Sequence, residues 1–328
     1  MRVFAFLTFL LVAAPAWAQS AAERAADGLI SQDLAADAGT TYFSQAWLID
    51  TMERRTHDNV ADIPRVHYQY YVVPEEHDSR LQARLALYSR FGDNEIVKPL
   101  LWLLNRNDLE DLRPGDTLIV PNQFGLDYRA YSPFPRFYPG ARDIPKVVIL
   151  NKNIQAWAAY HNGALERWGI INTGASSSRT PSGRFNVNWK QEYRVSTLSP
   201  PGEAWEMYWV MNLHERRGIH MHQYALPTSG PASHGCIRML EPDAQWLYTW
   251  TDTWEKTGGT DISSVGARIQ EQGTMVLIIG QDITEPPEPF VHRERYPVIR
   301  MVHLPPDPYM VPPGTDQQER FDRRRRGG

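Results

Sequence analysis

Ser233-His234-Gly235-Cys236-Ile237-Arg238-Met239 is the stretch that decides how this chain reads, because Cys236 is the only cysteine among 328 residues. With no partner, its thiol forms no intrachain disulfide. It stands behind a glycine and between a histidine and an arginine, a setting that suits a nucleophile. A free cysteine is also a common small buried hydrophobe, and is then inert. The neighbours and the compartment decide between the two readings.

The N-terminus speaks to the compartment. Arg2, the apolar run Val3 to Ala14 and Ala16-Trp17-Ala18 have the layout of a secretory signal peptide over residues 1–18, with cleavage expected after Ala18. The run is well short of the roughly 20 apolar residues of a membrane span. No other stretch reads as one, so the expected mature chain is exported. Without Arg2, 33 basic residues face 38 acidic ones, a net charge of about −5. That balance excludes bulk nucleic-acid binding, which wants a basic surface. Exported chains usually carry cysteines in pairs. A solitary one points to a reactive thiol or an intermolecular bond.

A cysteine attacks as thiolate, and its ordinary pKa near 8.5 leaves a few per cent of that form at neutral pH. A helix N-terminus, an imidazole and an arginine each lower that pKa, and all three are expected near Cys236. Gly235 permits a sharp turn. The amides of Gly235 and Cys236 are expected to face the oxygen of a tetrahedral intermediate. Arg238 offers a planar donor fork for a carboxylate. A base lies upstream in Gly218-Ile219-His220-Met221-His222, joined to the thiol by a loop with Pro227, Gly230 and Pro231. On a strand His220 and His222 share one face. Either can be the base, and His220 is favoured. His220, His222 and Cys236 match no common structural zinc pattern.

The chain divides into six stretches. The signal peptide is followed by a polar lead-in, 19–66, with a possible helix over Ala21–Ala36. Residues 67–122 read as strand, helix, helix, strand. His67 to Val73 and Thr117 to Pro121 are the strands. Asp78 caps a helix through Leu81, Leu85, Tyr88 and Phe91, and Ile96 to Leu104 form a second. Residues 123–144 are a proline- and aromatic-rich linker. Residues 145–281 are mostly β, with strands at Lys146–Leu150, Ile154–Tyr160, Leu165–Asn172, Gly183–Trp189, Trp205–Leu213 and Thr274–Ile279, and a helix at Glu241–Tyr248. Residues 282–328 are a proline-rich tail ending in Arg323-Arg324-Arg325-Arg326, expected to be disordered. The fold class is mainly β with α.

Leu112-Arg113-Pro114-Gly115-Asp116-Thr117-Leu118-Ile119-Val120-Pro121 closes a unit that resembles a LysM module, a small glycan-binding fold, in its second half. Its first turn, Pro74-Glu75-Glu76-His77-Asp78, departs from that family. Ile219-His220, the proline- and glycine-bearing loop and Ser233-His234-Gly235-Cys236-Ile237-Arg238-Met239 resemble the signature of the YkuD-type L,D-transpeptidases. Thr180-Pro181-Ser182-Gly183-Arg184-Phe185 adds to it. The resemblance implies a cysteine enzyme of peptidoglycan, with Cys236 as nucleophile and His220 as general base. It implies that His234 and Gly235 shape the oxyanion pocket with Ser233, and that Arg238 holds a substrate carboxylate. Met221 and His222 stand where the family often has glycine and threonine, and are expected to influence acceptor choice.

The implied partners are stem peptides, with glycan strands and a wall-anchored protein as further candidates. No cofactor is implied, and carbapenems are expected to acylate Cys236. Two rivals stay open. One is a hydrolase of the same fold with water as acceptor. The other is a non-enzymatic wall-binding protein.

Overall fold

The computed structural model describes residues 63–76, 78–106, 109–226, 230–257, 267–292 and 297–327. The expected signal peptide, the lead-in up to residue 62 and Pro227 lie outside the described residues. Among the described residues no helix is long and apolar enough to cross a membrane.

The N-terminal unit has the expected order: β1 Tyr68–Val72, α1 Arg80–Phe91, α2 Val97–Asn105 and β2 Thr117–Pro121. β1 and β2 pair antiparallel, with Tyr70 opposite Ile119. Ser79, not Asp78, caps α1, because its side chain accepts from the Gln82 N–H. α2 is apolar except at Lys98 and Asn105, and every residue but Lys98 is buried. The Asn105 side chain ties the end of α2 to β2, donating to the Ile119 carbonyl and accepting from the Ile119 N–H, both at 3.0 Å.

Residues 123–144 were expected to be a linker, yet they are built into the core. Tyr128, Tyr131, Phe134 and Tyr138 are buried. Prolines deny this segment a strand ladder, so its polar groups find other partners. The Trp168 indole donates to the Tyr128 carbonyl at 3.0 Å, and the Tyr160 hydroxyl donates to the Pro135 carbonyl at 2.8 Å.

The β-rich part follows as β3 Lys146–Asn151, β4 Ala156–His161, β5 Ala164–Asn172, β6 Gly183–Asn186, β7 Lys190–Val195, β8 Glu206–His214, β9 Ile219–Gln223 and β10 Ile237–Met239. Then come α3 Glu241–Trp250, the short β11 Glu255–Lys256 and β12 Ile269–Glu271, and β13 Met275–Ile279. Nine of these strands form one sheet in the order β6-β13-β3-β4-β5-β10-β9-β8-β7. β7 is not legible as a strand in the sequence. It is an edge strand with both faces partly wet, so it lacks an apolar period.

One face of the sheet centre, including Val147, Ile149, Ala158 and Trp168, packs on the N-terminal unit and residues 128–141. The other face brings Val148, Trp157 and Val276 together with Met211, Ile219 and Met221 from β8 and β9, and with Ala244 and Leu247 of α3. Strands far apart in the sheet order thus share one apolar cluster, which means that the sheet curls around α3.

The tail is not disordered along its described length. β14 Val291–His292 and β15 Val298–Ile299 form a hairpin, and α4 covers Asp316–Gly327. Phe290 is fully buried, with its ring edge-on to Trp168 at 5.6 Å. The peptide groups of β6 at the sheet edge need partners, and the tail supplies them. The Arg184 N–H donates to the Pro312 carbonyl and the Gly314 N–H donates to the Arg184 carbonyl, both at 2.8 Å. A side chain at Gly314 would run into the Phe185 ring. Asp322 of α4 pairs with buried Arg184 at 2.6 Å.

Candidate active site

β9 and β10 lie side by side and parallel, with Ile237 opposite Met221 and Arg238 opposite His222. This pairing carries Cys236, the residue before β10, to the start of β9. Its sulfur has two acceptors within reach: the Gly218 carbonyl at 3.4 Å and His220 Nδ1 at 3.7 Å.

The turn before the thiol is locked from several sides. Gly235 has φ +112°, a region open to glycine, and a Cβ there would sit 3.1 Å from Ile219 Cδ1. The buried Ser233 hydroxyl donates to the Cys236 carbonyl at 2.5 Å and accepts from the Gly235 N–H at 3.1 Å. Thr180 Oγ1 donates to the Gly235 carbonyl at 2.9 Å and accepts from the Gly174 N–H at 2.8 Å. The Ser178 hydroxyl donates to the Ser233 carbonyl at 3.0 Å.

Several expectations are corrected by this geometry. The Gly235 amide is already donated to Ser233, so it is not aimed at an oxyanion. Ser233 is buried beneath the turn, with its hydroxyl engaged by the turn's own backbone. Met221 points into the apolar cluster under the sheet, because alternation puts it on the face opposite His220 and His222. His234 is exposed at the rim and stacks on Trp205, with ring centroids 5.2 Å apart. β10 lies between Cys236 and α3 along the chain, so the thiol does not stand at the N-terminus of α3. His222 is buried, with Nδ1 2.8 Å from the Gln223 carbonyl. Arg238 lies over the Tyr224 ring at 4.5 Å.

Burial dominates the titration of the pair. It raises the Cys236 thiol, against smaller lowering effects from His220 and Arg238. It lowers His220 to about 3, helped by His222 and Arg194 and opposed by a hydrogen bond with the Gly218 carbonyl. The resting pair is therefore a neutral thiol beside a neutral imidazole. The expected depression of the thiol pKa is overturned, since desolvation outweighs the neighbouring charges. Trp189 packs on the His220 ring at 5.3 Å and restricts its position.

Sequence reasoning assigned no role to the Gly218 carbonyl, Thr180, Ser178 or Trp189. Thr180 stood in a segment already singled out. The others act through backbone geometry or through strand contacts that residue types do not announce.

Residues 145–278 match the family model described as the YkuD L,D-transpeptidase catalytic domain. No curated protein matches the chain. Among solved structures, an L,D-transpeptidase from Mycobacterium smegmatis is 17% identical, over 42% of this chain and 59% of that one, with a TM-score of 0.32. The L,D-transpeptidase LdtMt1 in complex with imipenem is 13% identical, over 50% and 74%, with a TM-score of 0.31. An L,D-transpeptidase from Stackebrandtia nassauensis is 15% identical, over 77% and 99%, with a TM-score of 0.37. The chain thus spans less than two thirds of the Mycobacterium smegmatis protein. The family match stops short of the βααβ unit, and nothing identifies that unit as a LysM module. It does enclose the whole sheet centre, both histidines of β9 and the thiol, and residues 145–278 are accordingly a YkuD-type L,D-transpeptidase catalytic domain.

Proposed function

We propose that the protein is a peptidoglycan L,D-transpeptidase acting outside the cytoplasm, and that Cys236 carries the acyl group. The observation that carries this reading is the approach of His220 Nδ1 to within 3.7 Å of the sulfur inside the matched domain. With its proton on Nε2, His220 presents a lone pair to the thiol. As a stem carbonyl approaches, the S–H proton passes to Nδ1 and the S–C bond forms. The Gly218 carbonyl, which favours the protonated ring, holds the imidazolium. The Cys236 amide is the donor assigned to the oxyanion, because the Gly235 amide is engaged.

The tetrahedral intermediate then expels the terminal D-alanine, whose amine takes the proton from His220. An acceptor amine attacks the thioester, passes its proton to His220 and releases the sulfur. Two acyl transfers through a covalent intermediate replace one direct amide exchange. Arg238 is assigned to the carboxylate of the leaving D-alanine. On the same reading the βααβ unit contacts glycan, and sacculus binding by a Leu81→Ser, Leu85→Ser variant of its exposed apolar pair tests that part.

Intact mass after exposure to imipenem or a tetrapeptide stem is the direct test. A covalent adduct is expected on the wild type and none on Cys236→Ala. An adduct that persists on the alanine variant would falsify the mechanism. New cross-links in purified sacculi, rather than released stems, distinguish transfer from hydrolysis.

A further inference from the structure

Two arginines with no role so far flank the thiol. Arg217 precedes Gly218, the residue whose carbonyl lies 3.4 Å from the sulfur. Its Nη2 donates to the Arg179 carbonyl at 3.3 Å. That carbonyl is 4.0 Å from where a Gly235 Cβ would stand, so Arg179 and Arg217 meet on the Gly235 side of the nucleophile. Both side chains are exposed.

Their charge is poorly neutralised. Arg179 reaches Asp282 only at 3.9 Å, and the same carboxylate is held by the Lys152 ammonium at 2.9 Å. Arg217 has no carboxylate partner among the described residues. The neighbouring Arg216 differs, because it pairs with Asp316 at 3.6 Å. Arg238 belongs to the far end of β9, where it sits opposite His222. β9 spans roughly 16 Å at about 3.3 Å per residue. Arginines therefore stand by both ends of the strand that carries His220.

We propose that Arg179 and Arg217 form a second carboxylate-binding flank, and that it receives the carboxylate at the side-chain end of the donor stem's third residue. The scissile carbonyl is attached to the L-centre of that residue, so its side chain branches one bond from the reacting carbon and is directed to this flank. The leaving D-alanine keeps its own carboxylate for Arg238. The substrate class is then a stem with a dicarboxylic diamino acid in free-acid form, in preference to a lysine or side-chain-amidated stem. The naming of this substrate rests on the transpeptidase reading, while the cationic flank itself does not.

The two parts are tested separately. Alkylation of Cys236 by iodoacetate and by iodoacetamide, each displacing iodide with formation of an S–C bond, compares an anionic with a neutral probe at one sulfur. At low salt the iodoacetate-to-iodoacetamide rate ratio is expected to fall about twofold in Arg217→Gln and in Arg179→Gln, the order of magnitude for removing one nearby charge in a water-like dielectric. The difference should fade at 1 M salt. An unchanged iodoacetamide rate shows that the fold around the thiol is intact. A rate ratio that both variants leave untouched overturns the flank.

Donor tetrapeptides carrying the free acid, the side-chain amide or lysine form the second arm. Wild type should favour the free acid in kcat/KM, and the double variant should lose that preference at least threefold. A fall in the alkylation ratio without any donor preference overturns the substrate assignment. A fall in the ratio with no turnover of any stem supports the flank and removes the transpeptidase reading instead.

Discussion

Gly235 shows how a single residue fixes the turn that presents the thiol. Its φ of +112° is strained for any side chain, and Ile219 and the Ser178 carbonyl leave little room. Gly235→Ala is expected to cost about 1–3 kcal/mol and to slow imipenem acylation, readable from thermal melts and adduct kinetics. His222 makes a pH prediction. Burial lowers it to about 4, with its bond to the Gln223 carbonyl opposing and Arg238 assisting. An unfolded chain protonates the same imidazole near pH 6.5. Between those values the unfolded state binds more protons, so stability falls as pH drops from about 6.5 towards about 4. Above 6.5 the residue contributes no pH dependence. His222→Gln should flatten part of this slope in melting temperature against pH, and His220 retains the rest. That Cys236 and His220 come together was legible, because their residue types and the loop between them suggested it. Met221 was misread because proximity in sequence is not proximity on a strand, where neighbours face opposite ways.

Among elements, the parallel pairing of β9 and β10 decides the site. Each strand is short, and the register between them is held by side chains from outside the pair. Thr180, from the loop before β6, clamps the Gly235 carbonyl and the Gly174 N–H. Thr180→Val keeps the shape but leaves both groups without this partner. A loss of about 1–3 kcal/mol is expected for each buried group left unsatisfied. Cys236 alkylation by iodoacetamide should change as well, since the turn that presents the sulfur is released. The strands with β-branched or aromatic runs, β3, β4 and β13, were readable from their apolar residues. β7 and β10 were not. The first is an edge strand with no buried face, and the second has only three residues, too few to display a period.

On the scale of the whole molecule, the C-terminal segment closes the edge of the sheet at β6. Proline-rich composition suggested disorder, but proline carbonyls remain good acceptors and the edge strand offers free donors. Asp322→Ala leaves Arg184 buried without its ion-pair partner. A destabilisation of about 3 kcal/mol is expected from breaking such a pair, measured by urea unfolding. The thiol itself, raised by burial and resting as S–H, has a further consequence. Oxidation to sulfenic acid and mixed-disulfide formation both begin from thiolate. On the mechanism proposed above, in which the proton leaves only as substrate arrives, such a thiol is expected to react slowly with peroxide and with stray disulfides. The burial that restrains its nucleophilicity would therefore also give the sulfur a long working life in the oxidising space to which the proposed function assigns it.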